Sequence, residues 1–212
     1  MALVLLIAPS AHAQTSGWYA DLGLGYSWAK FFPADFALNN PLLSEDKKNF
    51  DAGYKFAVGK QLSRTWAVEA GYVQLGKYQY FYNDAGLGGS VSLDYRVVGW
   101  ALSVVPSIPF GDSFSMFGRI GAFFSNTRLT VASASGSLAG SSFEIWQSRE
   151  TPLVGLGFQF DYDKDQSLRL EYENYGEVGK ACPSTPCIAT PNNNNTGRAI
   201  VQMVSANLIF KF

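Results

Sequence analysis

The feature of this sequence that most constrains its fold is a period of two in hydrophobicity. From Trp18 to Trp28, apolar side chains, most of them large, occupy every second position, and mainly small or polar residues lie between them. Successive side chains of a β-strand point to opposite faces, so the pattern predicts strands with one apolar face. It recurs along the chain and predicts eight strands, centred on residues 18–28, 50–59, 66–72, 98–104, 114–124, 154–162, 168–173 and 204–212.

The fourth predicted strand has an irregular start. Asp94 and Arg96 share the parity of the apolar residues that follow them. Either these two side chains lie beyond the membrane, or a β-bulge shifts the pattern between them and the rest of the strand.

The connections between the predicted strands alternate in length. Those after the second, fourth and sixth strands are short. The other four are long and cover residues 29–49, 76–90, 125–149 and 174–196. Short turns at one end and long loops at the other are typical of bacterial outer-membrane barrels, whose turns face the periplasm and whose loops face the exterior.

The residues opposite the apolar face distinguish a membrane barrel from a soluble one. A soluble barrel has its apolar face inside, whereas a membrane barrel turns it outward. Here the opposite face consists largely of glycine and alanine, which suit a narrow lumen better than a solvated surface. The apolar face carries aromatic rings near the strand ends, as interfacial girdles do: Trp18, Tyr26, Trp28, Trp66, Tyr72, Phe114, Phe124, Tyr162, Phe210 and Phe212.

We therefore predict an all-β fold, an eight-stranded antiparallel up-and-down transmembrane β-barrel with four long extracellular loops. The composition agrees, because only 16% of residues are charged and 15% are aromatic. The longest apolar run, residues 2–8, is far shorter than the roughly 18 residues of a membrane-spanning helix. A closed sheet is the other way to satisfy backbone polar groups in lipid. A net charge of −1 gives no electrostatic basis for binding nucleic acid.

Residues 1–13 have the features of a secretory signal peptide. An apolar stretch is followed by Ala11, His12 and Ala13, a small-x-small cleavage site, so the barrel domain is expected to span residues 14–212. The usual positive charge is missing, and we expect the true start of the signal to lie upstream. The alternative for this segment is a buried N-terminal strand.

The loss of the signal peptide limits the possible chemistry. His12 is the only histidine in the sequence, so the mature chain has no imidazole. We predict no enzymatic activity, no cofactor and no metal. A pair of carboxylates, Glu171 and Glu173, is the remaining catalytic alternative, but polar residues two apart on a strand more often line a lumen.

Several motifs resemble the OmpA-like transmembrane barrel family. They are GYK at 53–55, WAVEAGY at 66–72, FGRIG at 117–121, LRLEY at 168–172 and the terminal Phe212. The likeness covers essentially all of residues 17–212. It implies an outer-membrane barrel in which Phe212 is the recognition signal for the barrel assembly machinery. Larger members add a peptidoglycan-binding domain, whose tethering role does not carry over to this chain.

Six polar residues share the inward parity near the predicted periplasmic turns: Lys55, Glu69, Arg119, Gln159, Arg169 and Glu171. Buried charges must be paired, so we expect these residues to meet in a lumen polar network. One interpretation is a salt-bridge plug that closes the barrel, and the other is a gated, ion-conducting constriction.

The resemblance implies a similar interior network, with Glu69, Arg169 and Glu171 at matching positions. The sequence departs from the family at Ser103, usually a lysine, and at Gln159, usually an acid. These two departures leave the partners of the two inward arginines open.

The long loops hold two further candidates. Cys182 and Cys187 lie in the fourth loop, where an oxidising compartment favours a disulfide over a two-thiolate metal site. In the first loop, Phe31, Phe32 and Phe36 are candidates for a surface contact patch. The alternative for these rings is packing against other loops or lipid headgroups.

The sequence indicates a bacterial outer-membrane protein with a mainly structural role that presents surface loops. One alternative is an adhesin or surface-binding protein acting through the first and fourth loops, and another is a narrow channel for ions or small hydrophobic solutes. Expected partners are outer-membrane lipid and lipopolysaccharide, the barrel assembly machinery with periplasmic chaperones, and a surface ligand of the loops.

Overall fold

The computed structural model describes residues 17–36, 43–84, 88–136, 139–140, 142–181 and 195–212. Within these ranges the chain forms strands and one short helix. In chain order they are β1 (Trp18–Phe31), α1 (Pro33–Phe36), β2 (Leu43–Lys48), β3 (Phe50–Ser63), β4 (Trp66–Asp84), β5 (Gly89–Phe110), β6 (Phe114–Ser135), β7 (Glu144–Asp161), β8 (Gln166–Lys180) and β9 (Gly197–Lys211). No helix in this part of the chain is long and apolar enough to span a membrane.

Eight of the strands close into a ring. From β3 to β9, each strand pairs antiparallel with the next one in sequence. β1 pairs with both β3 and β9, and its ladder with β9 runs from Tyr19↔Lys211 to Phe31↔Ala199. The prediction of an eight-stranded antiparallel up-and-down barrel is therefore confirmed.

β2 is an additional strand that the sequence pattern did not reveal. In the described structure it pairs with β4 alone, from Leu43↔Asp84 to Lys48↔Gln79. β3 pairs with the other half of β4, and this ladder ends at the pair Tyr54↔Gln74. A single residue separates β2 from β3, and β2 extends the wall beside β4 beyond the point where the β3–β4 ladder stops.

The three short turns and both ends of the barrel lie at one end of the ring. Trp18 and Phe212 are joined there by two backbone hydrogen bonds of 3.1 and 2.9 Å. We call this the periplasmic end, following the sequence prediction, and the opposite one the extracellular end.

The strands continue further at the extracellular end than the sequence pattern suggested. β4 and β5 remain paired up to Asp84↔Gly89, so most of the predicted connection 76–90 is strand. A bulge at Gly76, whose φ is +103°, explains why the pattern was lost. Inward positions on β4 are odd-numbered up to Leu75 and even-numbered from Tyr78 onward.

The structure excludes the second alternative for the two irregular residues of β5. The ladder between β5 and β6 is unshifted from Leu93 to Val104, so no bulge separates Asp94 and Arg96 from the rest of the strand. Both lie on the outer face, further toward the extracellular end than the exposed ring of Trp100.

The apolar face is turned outward, as predicted for a membrane barrel. Leu24 and Phe212 are 72% and 76% exposed, whereas the neighbouring Asp21 is fully buried inside. Among the ten predicted girdle rings, only Trp28 and Tyr72 are half-buried, and the other eight are exposed.

The wall of the barrel is incomplete in its extracellular half. The β7–β8 ladder stops at Val154↔Asn174, while β8 and β9 remain paired up to Lys180↔Gly197. The last described pair of the β8–β9 ladder lies near the opposite wall, where the Tyr95 hydroxyl of β5 donates to the Gly197 carbonyl at 3.1 Å. This end of the ladder and α1 lie together at the extracellular mouth.

Candidate functional site

Two layers of side chains fill the interior of the barrel. The layer nearer the periplasmic end, which we call the ionic layer, has seven charged members. They are Asp21, Lys55, Glu69, Arg119, Arg169, Glu171 and Glu173. Each is at most 5% exposed, because each occupies the inward parity of its strand. Charges buried this deeply are tolerated only when they are paired and hydrogen-bonded.

Arg119 on β6 is at the centre of the ionic layer. Its guanidinium contacts Glu69 through Nη1, Glu171 through Nη2 at 3.2 Å, and Glu173 through Nε at 3.1 Å. Nη1 also donates to the Ser103 hydroxyl at 2.9 Å. A guanidinium has five donors in a fixed plane, so one arginine can link several carboxylates. Arg119 thereby joins β6 to β4, β5 and β8.

Arg169 on β8 forms a second centre. Its Nη1 lies 2.8 Å from Glu69 Oε1 and 3.2 Å from Asp21 Oδ2. Nη2 donates to Gln159 Oε1 at 2.9 Å. The guanidinium also lies over the Phe117 ring, 4.5 Å from its centroid, in a cation–π arrangement. Glu69 therefore bridges the two arginines.

Lys55 on β3 completes the network. Its Nζ lies 2.8 Å from Glu173 Oε2 and also contacts Glu171 Oε1. The Asn207 side-chain amide donates to Glu171 Oε1 at 2.6 Å. The seven charges therefore form one connected set.

Tyr19 closes the ionic layer toward the periplasm. Its hydroxyl donates to Glu69 Oε1 at 2.6 Å, and its ring lies directly against Gly59 of β3. A Cβ at position 59 would lie 2.2 Å from that ring, so only glycine permits this approach. Below Tyr19, an open vestibule of about 610 Å³ leads out between the periplasmic turns.

The structure brings five of the six predicted lumen residues into the ionic layer, and Gln159 joins it through Arg169. Sequence reasoning missed Asp21 and Glu173 as members, although both have the inward parity. The predicted set contained three cations but only two acids. A requirement for charge balance would have pointed to one further inward carboxylate, whereas the layer contains two. The two arginines, whose partners were left open, use Ser103 and Gln159 as additional hydrogen-bond acceptors.

The second layer, which we call the apolar layer, fills the extracellular half of the barrel. Its fully buried members include Leu75, Tyr78, Leu93, Tyr95, Val97, Phe123, Leu129, Leu153, Tyr175, Val178, Val201 and Met203. Phe123 and Tyr175 pack edge to face, with ring centroids 4.9 Å apart. The Tyr175 hydroxyl donates to Glu173 Oε2 at 2.8 Å and so connects the two layers.

The first-loop rings predicted as a contact patch are placed differently. Phe31 and Phe36 are 7% and 1% exposed and belong to the apolar layer. Phe32 is half-buried below the Arg198 guanidinium, which lies 4.5 Å from its ring centroid. The chain folds back into the mouth at α1, so Phe31 and Phe36 pack inside the barrel and the three rings do not form an exposed patch.

The remaining candidates lie at the chain's end and in the fourth loop. Phe212 points outward and is 76% exposed. Cys182 and Cys187 lie outside the described residues. Among the residues that are described, no group of three or more His, Cys, Asp or Glu side chains is arranged to hold a metal ion.

Comparison with known protein families agrees with this architecture. The family model for the OmpA-like transmembrane domain matches residues 13–212. The chain belongs to this family. Outer membrane protein A of Shigella flexneri is 24% identical over 173 residues, which is 81% of this chain and 44% of that protein. The chain thus spans less than half the length of this relative.

Solved structures share the fold at low sequence identity. OprG from Pseudomonas aeruginosa is 14% identical with a TM-score of 0.54, covering 93% of this chain and 96% of its own. The outer membrane protease OmpT from Escherichia coli is 14% identical with a TM-score of 0.53, covering 96% and 99%. Neisserial surface protein A is 14% identical with a TM-score of 0.51, covering 92% and 97%. The protein is an integral β-barrel of the bacterial outer membrane.

Proposed function

We propose that this protein is a closed barrel with a structural role in the outer membrane, where it stabilises the membrane and presents its extracellular strands and loops. The observation that carries the proposal is the filling of the barrel by two stacked layers. An ion that entered from the vestibule would meet Arg169 and Tyr19 first, and the apolar layer afterwards.

The contacts of the ionic layer favour a plug over a conducting constriction. Arg119 contacts three carboxylates, so a rearrangement that frees it must break three buried ion pairs and leave the guanidinium without a carboxylate partner. An orphaned buried ion costs several kcal/mol. Opening the layer would therefore carry a free-energy cost of this order.

The apolar layer adds an independent barrier. Ions cross a constriction lined by apolar side chains only if water enters it, and residues such as Leu75 and Leu153 expose none of their surface to solvent. The same layer opposes the alternative of a channel for small hydrophobic solutes, since the space is already occupied by the protein's own rings.

A planar-bilayer recording tests the proposal. The folded and inserted wild-type protein is expected to show no discrete current steps. The Arg119→Ala variant is expected to remain silent as well, because the apolar layer is intact. Arg128→Ala, on the outer face, serves as a matched control for the loss of an arginine. Reproducible steps from the wild type that change with Arg119→Ala would make the lumen a working pore and overturn the proposal.

Catalysis is not part of the proposed function. Glu171 and Glu173, the candidate pair of carboxylates, are both engaged by Lys55 and Arg119. This pairing supports a structural use of both acids. An assay of peptide and phospholipid hydrolysis by the purified barrel tests this, and turnover that is lost in Glu171→Gln would contradict it.

Further proposals concern export and assembly. We propose that residues 1–13 are removed as a signal peptide, that Cys182 and Cys187 form a disulfide, and that Phe212 is recognised by the assembly machinery after delivery by periplasmic chaperones. The exposed outward position of the Phe212 ring supports the last of these. Mass spectrometry of the mature chain tests the first two, and outer-membrane yield of Phe212→Ala tests the third.

A further inference from the structure

At the extracellular mouth, the aromatic ring of Phe36, a residue of the first loop, packs among aromatic side chains of the barrel wall. The Phe36 ring stacks on Tyr80, with centroids 5.2 Å apart and an interplanar angle of 18°. It meets the edges of Phe31 at 4.9 Å and Tyr95 at 6.1 Å. These rings come from β1, β4 and β5, so the space that Phe36 occupies is built by the barrel wall.

The residue before Phe36 is held by charge. The Asp35 carboxylate accepts from the backbone N–H of Arg198 at 3.0 Å and from its Nε at 2.8 Å. This hydrogen bond raises the pKa of the Arg198 guanidinium. The Tyr82 hydroxyl donates to the Phe36 carbonyl. Three groups of α1 thus contact different residues of the wall. The Asp35 carboxylate contacts Arg198, the Phe36 carbonyl contacts Tyr82, and the Phe36 ring stacks on Tyr80.

Gly197 shapes the wall of this space. Its φ is +75°, which favours glycine, and a Cβ there would lie 2.4 Å from the Phe36 ring. Together, Phe31, Tyr80, Tyr82, Tyr95, Gly197 and Arg198 form what we call the receptacle.

The receptacle and its occupant differ in how firmly they are held. The receptacle residues lie on strands of the barrel wall, whereas α1 is a four-residue helix from a connection. Pro33 and Ala34 of α1 are exposed, and the Arg198 side chain that holds Asp35 remains 28% exposed. Short elements with few backbone hydrogen bonds open at low free-energy cost. No residue of α1 takes part in a strand ladder of the described structure.

We propose that the receptacle is an extracellular binding site for an acidic–aromatic peptide segment of another protein, and that α1 is its internal competitor. The chemistry of the ligand is read from the bound Asp35 and Phe36 themselves. The receptacle lies at the extracellular end of the apolar layer, and the proposal makes no use of the ionic layer. A silent bilayer and a failure to bind peptide are separate outcomes.

NMR titration of the refolded, isotope-labelled barrel with the peptide acetyl-Phe-Pro-Ala-Asp-Phe-amide tests the proposal. Wild-type protein is expected to show saturable shifts at the Gly197 amide and the Arg198 Nε–H. Phe36→Ala is expected to bind on the order of tenfold more tightly, because the competing ring is gone. The same change at Phe81, an exposed ring on β4, is the matched control and should leave the affinity unchanged.

The peptide itself provides the second set of controls. Asparagine in place of its aspartate should weaken binding on the order of tenfold, since the charge-assisted contact with Arg198 is lost. Alanine in place of its terminal phenylalanine should abolish binding. If Phe36→Ala does not fold, Asp35→Asn loosens α1 without leaving a cavity and should show the same gain.

Two results would overturn the proposal. If the wild type shows no saturable shifts while Phe36→Ala binds the peptide, α1 is a permanent part of the core. If all three peptides bind equally, the contact is a nonspecific apolar one.

Discussion

Arg149 on β7 donates to Glu177 on β8 at 2.6 Å, across the part of the wall where these two strands share no backbone ladder. Arg149 also donates to the Gly179 carbonyl at 3.2 Å, and the Thr151 hydroxyl donates to the Tyr175 carbonyl at 2.6 Å. Side chains therefore replace main-chain hydrogen bonds along this boundary.

This boundary predicts uneven hydrogen exchange along β7. Amide hydrogens of residues 145–151 that face β8 are expected to exchange faster than those of residues 154–161, which have ladder partners on both sides. Exchange measured by NMR or mass spectrometry checks this. Arg149→Ala should speed exchange near Gly179 while lowering the unfolding free energy by only about 0.5 kcal/mol, since the pair is partly exposed. Uniform protection along β7 would contradict the prediction.

Removing Arg119 is expected to be among the most destabilising substitutions in the barrel. Arg119→Ala leaves three buried carboxylates without their shared partner, and breaking a buried pair of this kind costs about 3–5 kcal/mol. Urea unfolding in lipid vesicles measures the loss. Arg128→Ala, whose partner Glu144 lies on the outer face, should cost less than about 1 kcal/mol. Equal losses for the two variants would mean that the ionic layer contributes little to stability.

Gly59→Ala is predicted to disturb the ionic layer indirectly, through Tyr19. The added Cβ would overlap the Tyr19 ring and push its hydroxyl away from Glu69, at a cost of about 1–3 kcal/mol. The same substitution at Gly118, where the nearest atom lies 3.6 Å from the added Cβ, is the control and should be nearly neutral. Urea midpoints of the two variants compare them directly, and indistinguishable midpoints would show that Tyr19 moves without penalty.

The carboxyl group of Glu144 is predicted to titrate below its ordinary range. Hydrogen bonds from Arg128 and from the Trp146 indole lower its pKa. The ion pair is therefore present at neutral pH and is lost as the pH falls through this lowered pKa. Carbon-detected NMR titration measures the value, which should rise in Arg128→Ala. An unchanged titration in that variant would exclude the guanidinium as a cause.

The sequence predicted the ring of strands well because two-residue alternation is a local property. It holds through residues 18–28 and 204–210, which were assigned to strands correctly, whereas β1 continues to Phe31 and β9 already begins at Gly197. The pattern failed where a bulge such as Gly76 reversed the parity, and therefore the rings beyond it were assigned to a loop.

The candidate site was predictable in part for a related reason. Parity identifies which residues face inward, but it does not say which of them meet. The contact of Arg169 with both Asp21 and Glu69 depends on how far each strand is staggered around the ring, and no local pattern contains that information. The inward turn of α1, which buries Phe36, is likewise a tertiary event.

The pairing of Trp18 with Phe212 has a consequence for how the barrel is made. β1 is the first strand of the barrel to emerge in the periplasm, and its partner β9 is the last. Until β9 is added, the sheet has two free edges, β1 and the last strand already paired. Each edge has a row of unpaired N–H and C=O groups, which lipid cannot satisfy and with which other chains could pair. If the strands entered the membrane one at a time, every intermediate except the closed barrel would expose these unpaired groups to lipid. A truncated chain that lacks β9 should therefore accumulate outside the membrane as aggregate.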